Sequence, residues 1–165
     1  MIGRKELEKA RLAILKEWQK MLFGENFNPA IEVAEYLEDC TSRIVRKVID
    51  IYSGKGHGGV EEAIDDLMRY LATDKNLTPG QAVSTIINLK NIIHGMFPQM
   101  ELDEFLRLDT IIDNLACLAF DSYSALREEI FELRLEEKDK EKRMLERSIE
   151  LALENQEFYD NIIIK

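Results

Sequence analysis

The sequence predicts an all-α protein, a bundle of five helices, and three observations carry that prediction. Apolar residues recur at steps of three and four, the spacing that places side chains on one face of an α-helix. Nowhere does a stretch alternate apolar and polar residues with the two-residue period of a strand. Finally, Phe105, Leu108, Ile112, Leu115, Ala119, Tyr123, Leu126, Ile130 and Leu133 hold the helical step through about eight turns without a glycine or proline.

The first helix is expected over residues 4–23, with Leu7, Ala10, Ile14, Trp18, Met21 and Leu22 as its apolar stripe. Gly24 and the GENFN segment end it. Asn28-Pro29 then reads as an N-cap followed by proline at the first helical position, where a missing N–H costs nothing. This opens a second helix that runs to about Ile51. Its inward face is Ile31, Ala34, Leu37, Thr41, Ile44, Val48 and Ile51. Glu32, Glu35, Glu38 and Asp39 lie towards its N-terminus and Arg43, Arg46 and Lys47 towards its C-terminus, the order that suits the helix dipole.

The run SGKGHGG follows. Gly54, Gly56 and Gly59 satisfy the glycine spacing of a dinucleotide fingerprint, but that motif works only between a buried strand and a helix. The residues before it carry helical spacing, and Lys55 is misplaced for a P-loop. The run is therefore expected to be a helix–helix loop whose glycines supply positive φ, with His57 exposed in it. A third helix follows over about Val60–Ala72, with Val60, Ile64, Leu67, Met68 and Leu71 inward.

Thr78, Pro79 and Gln81 give the fourth helix a full start signal: N-cap, proline at the first position, and a capping box. Ala82, Ile86, Leu89 and Ile93 form its face, and Gly95 with Pro98 should stop it. Asp103 and Glu104 then open the long fifth helix. Beyond Leu133 its seam meets EEKDKEKR, so the later part is expected to project from the core. This divides the chain into an all-α regulatory domain, 1–135, and a charged helical extension and tail, 136–165. Met144, Leu145, Ile149, Ala152 and Leu153 give the extension a second apolar stripe, which needs a partner helix to bury it.

A length of 165 residues fits one domain, and an apolar fraction of 45% is ordinary for a folded protein. Net charge is −10, from 32 acidic and 22 basic residues, which argues against nucleic acid or an anionic membrane as partner. The start, MIGRKELEKA, lacks the apolar run of a secretory signal. The longest apolar run, Leu115–Phe120, is far short of a membrane span. Cys40 and Cys117 are expected to be buried free thiols in a reducing cytoplasm.

Few residues suggest chemistry. His94 is the one candidate haem ligand, sharing a flank of the fourth helix with Val83, Ile87 and Lys90; a partly buried, structurally satisfied or surface histidine is the plainer expectation. The residue three before it is Asn91, so the Glu-x-x-His of a di-iron bundle is absent, and the cysteines and histidines make no zinc spacing. Neighbouring carboxylates such as Glu128 and Glu129 point to different helix faces. No metal, cofactor or catalytic group is expected.

Two segments carry a resemblance. FDSYSALREEIFELRLEEK, residues 120–138, and LTPGQAVSTIINLK, residues 77–90, resemble the N-terminal sensory domain of RsbR/RsbRD-type stressosome proteins, co-antagonists of the RsbT kinase. Trp18 and Phe27-Asn28-Pro29 resemble that domain's start, and the likeness extends over about Ile14 to Lys142. It implies a dimeric, non-haem globin-like all-α domain whose last helix leads into a STAS output domain. Phe120, Asp121, Tyr123, Arg127 and Glu128 match its closing motif; Thr78, Pro79, Gln81 and Lys90 match the helix-opening one. This chain departs by a shorter segment between Trp18 and Phe27. In place of a STAS domain it has a helical tail ending NIIIK, so an output through STAS phosphorylation is not expected of it.

The expectation is thus a cytoplasmic, non-enzymatic signalling domain that forms a homodimer and engages a protein partner through the helix after Arg134. Asp121, Tyr123, Arg127, Glu128, Lys90 and His94 are the candidate partner or ligand contacts. Tyr123 and Arg127 stand one turn apart, so the guanidinium can lie over the ring or bridge to a neighbouring carboxylate. The alternative is a small-molecule or haem-binding sensor with a pocket between the fourth and fifth helices, near His94 and Tyr123.

Overall fold

A computed structural model describes residues 4–56 and 58–163. Its elements are α1 (Arg4–Phe23), α2 (Ile31–Tyr52), α3 (Val60–Leu71), α4 (Pro79–Met96) and α5 (Leu102–Ile163). No strand occurs among the described residues, so the five-helix, all-α expectation holds. None of these helices is long and apolar enough to cross a membrane. The chain divides into two units, Met1–Leu126 and Arg127–Lys165.

In the first unit α1 packs on α2 and α4, and α2 packs on α3. The expected faces of α3 and α4 are buried as read: Val60, Ile64, Leu67, Met68 and Leu71 on one, Ala82, Ile86, Leu89 and Ile93 on the other. In α5 the seam is buried from Leu108 through Ile112, Leu115, Ala119 and Tyr123 to Leu126. Its flanking members are not core, for Phe105 and Leu133 are exposed. Likewise Met21 and Ile31 are exposed, and Leu15, outside the expected stripe of α1, is buried.

Three local expectations need correction. Helix α2 starts at Ile31 with Ala30 as N-cap, and no side chain caps it. Asn28 and Pro29 instead belong to the connection, where the Phe27 ring stacks on Phe23 with centroids 4.9 Å apart. That stacking ties the connection back to the end of α1, and Ala30 takes the extended conformation before the first turn. Gly95 does not stop α4, which runs to Met96 and is ended at Phe97, just before Pro98. Cys117 is exposed; only Cys40 is buried. With Leu115, Ala116 and Ala119 facing in, the helical step turns Cys117 outward.

The glycine loop joins two helices, as expected, and Gly54, Gly56 and Gly59 adopt positive φ. His57 lies outside the described residues. At the far end of α3, Thr78 and Gln81 form the predicted capping box. The Gln81 backbone N–H donates to Thr78 Oγ1 at 3.2 Å, and the Thr78 backbone N–H donates to Gln81 Oε1 at 2.9 Å. Glu104 does half of the same service for α5, accepting from the Glu101 N–H at 3.2 Å.

Polar contacts fix how the helices meet. The fully buried Trp18 donates its indole N–H to the Thr85 carbonyl at 2.8 Å, tying α1 to α4. Arg43 bridges Asp39 on its own helix and Asp66 on α3. Arg107 of α5 lies over the Tyr52 ring of α2, 5.3 Å from its centroid. Burial and the nearby Glu104 carboxylate raise the Tyr52 phenol above its ordinary value.

Candidate functional site

Each of α4 and α5 carries a pair of polar residues one turn apart: Lys90 and His94 on one, Asp109 and Asp113 on the other. Residues four apart share a helix face, so each pair projects together. The helices run antiparallel in this region, which sets the two pairs against each other. Lys90 Nζ lies 2.7 Å from Asp113 Oδ1 and 3.7 Å from Asp109 Oδ2. His94 Nε2 lies 3.2 Å from Asp109 Oδ1. These facing atoms of His94 and Asp109 are sealed from solvent and are not aligned as a hydrogen bond. The imidazole also stacks on Phe105 at 3.8 Å between centroids, 17° from parallel.

This is a half-buried charge cluster at the α4–α5 junction. Burial pushes the His94 pKa down; Asp109 pulls it up and Lys90 pushes it down further, leaving it below the ordinary value. Near neutral pH the ring is therefore uncharged and packs as an aromatic. Protonation would turn the Asp109 contact into an ion pair while charging a ring that is mostly withdrawn from water. The cluster thus links a proton to the junction between two core helices.

Tyr123 is elsewhere. It is fully buried, and its hydroxyl donates to the Leu77 carbonyl just before α4 begins. His94 lies at the other end of that helix. Seventeen residues separate Leu77 from His94, about 25 Å at the rise of an α-helix. His94 and Tyr123 are thus not neighbours: antiparallel docking sends the two to opposite ends of α4. Tyr123 is a core residue whose buried hydroxyl has found a carbonyl, not a surface contact.

The other candidates disperse. Asp121 is exposed and lines an open groove of about 450 Å³ with Glu61, Glu62, Asp65 and Ser122; Ser122 Oγ donates to Asp65 Oδ1 at 2.7 Å. Among the described residues no group of His, Cys, Asp and Glu is arranged to hold a metal ion. Arg127, half-buried, and Glu128, exposed, open the second unit. Of the six candidates, only Lys90 and His94 share a site.

Asp109, Asp113 and Phe105 were missed as site residues. The signal was present as the four-residue step between the two aspartates, matching the step from Lys90 to His94. Which of the many carboxylates would meet them depends on the register of two helices joined by a turn.

No family model and no solved structure matches the chain. A protein of Archaeoglobus fulgidus, described only as uncharacterized, is 30% identical over 143 residues, which cover 86% of this chain and 93% of that one. Similarity across nearly the whole of both proteins includes the α4–α5 region and most of the long helix, and the chain belongs to the family of that archaeal protein.

Proposed function

We propose that this protein is a non-enzymatic regulatory domain of the cytoplasm, which self-associates and engages a protein partner through the helix that follows Arg134. One observation carries the reading. Every described residue from Leu135 to Ile163 is exposed, although the segment is rich in large apolar side chains. Leu145 is 62% exposed, Phe158 63% and Ile163 80%. Exposed apolar surface repeated along a helix is stabilised by covering it with another helix.

The resemblance of residues 77–90 and 120–138 to RsbR-type sensory domains supports a signalling role, since the closing motif there stands directly before the output segment. Met144, Leu151 and Phe158, seven residues apart, give the segment a further face for an output partner.

The test is truncation after Glu137, read by native mass spectrometry and by the emission of the single tryptophan. The full chain should be a dimer at micromolar concentration; the truncated chain should keep the buried-indole emission of Trp18 and become a monomer. A truncated chain that unfolds, or that remains dimeric, defeats the reading.

A further inference from the structure

Resting on the reading that the second unit self-associates, we infer that its partner is a second copy running antiparallel, in a register centred on Arg147. From Phe131 to Ile163, steps of four and three residues alternate without a break along one face. That is the heptad spacing of a two-stranded coiled coil. The seam reads the same from either end, so an antiparallel copy places every seam residue opposite another.

The polar members choose the orientation. Lys138, Lys142 and Gln156 lie in the seam among apolar residues. In a parallel pair in register, Lys138 meets its own copy and Lys142 meets its own copy, placing like charges together in two successive layers. In the antiparallel pair Lys138 faces Gln156 and Lys142 faces Ala152. Ala152 is the smallest seam residue and leaves room for the lysine stem, whose ammonium already lies 3.9 Å from Glu146 on its own helix. The remaining layers are apolar on both sides: Phe131 with Ile163, Leu135 with Tyr159, and Leu145 with Ile149.

Antiparallel pairing does bring Glu132 near Asp160, and Glu146 near its own copy. Those carboxylates are at the rim, where water and salt screen them. Opposed lysines inside the seam have no such relief. Seam charge therefore outweighs rim charge.

Variants with one added cysteine in a Cys117→Ser background, where the other native thiol, Cys40, is buried, test this with a short bis-maleimide reagent. Mixed Leu135→Cys and Tyr159→Cys chains should couple to each other, and neither should couple to itself. In a parallel pair those two positions are about 36 Å apart, and Leu135→Cys would couple to itself. Glu141→Cys mixed with Asn155→Cys, beside the seam, repeats the test without altering a seam side chain and should also couple. Self-coupling of Leu135→Cys in a dimer overturns the antiparallel orientation alone. A full chain that is monomeric by native mass spectrometry overturns both the orientation and the self-association on which it rests.

Discussion

The indole N–H of Trp18 donates to the carbonyl of Thr85, 67 positions away in sequence, at 2.8 Å. An indole buried this fully must find an acceptor or lose its hydrogen bond to water. It finds a helix carbonyl on α4, so one side chain reports on the packing of the first helix against the fourth.

Trp18→Phe should therefore cost about 1–3 kcal/mol, from the lost hydrogen bond and the smaller ring. Urea denaturation followed by far-UV circular dichroism would measure it, since the variant lacks the only tryptophan. A change below a few tenths would mean that the indole bond contributes little.

Thr78→Ala removes one half of the α4 capping box, and about 1 kcal/mol of stability should go with it. Thr78→Ser keeps the accepting hydroxyl and should stay near the parent. Equal losses in both variants would count against the cap.

His94 predicts a pH dependence. Its folded pKa is below the unfolded value, so the unfolded chain binds the proton more tightly. Stability must then rise with pH across the interval between the two values, and is lost as pH falls from about 6.5. His94→Phe keeps a ring against Phe105 and removes the titration. The denaturation midpoint of the parent should fall more between pH 7.5 and 5.5 than that of the variant. Parallel declines would assign the acid sensitivity to other groups.

The two thiols should differ in reactivity. Cys40 is fully buried, and burial pushes its pKa up to about 11, whereas Cys117 is exposed. A thiol reagent at pH 8 should label one site per native chain, lost in Cys117→Ser, and two after denaturation. Rapid labelling of Cys40 in the native protein would indicate opening between α2 and its neighbours.

Much of this protein was legible in the sequence by itself, because it rests on local periods. The four inward residues of α4, the five of α3, the capping box at Thr78 and Gln81 and the positive-φ glycines after α2 all follow from spacing within a few residues. Helix period and cap chemistry are set by the chain's immediate neighbours. Burial at helix ends followed less well: Met21, Ile31 and Phe105 keep the period yet are exposed, because period fixes a face and not how much of it a neighbour covers.

Only the tertiary structure decided which distant residues meet. The four-residue step of Asp109 and Asp113 is shared by other carboxylate pairs of this acidic chain, such as Glu62 and Asp66; antiparallel docking of α4 and α5 brings these two to Lys90 and His94. The same docking carries Tyr123 to Leu77 and away from His94, and α1 brings Trp18 to Thr85. A helix face is a property of one segment, whereas a contact between faces depends on the crossing and register of two. That second choice is made by the whole core as it packs.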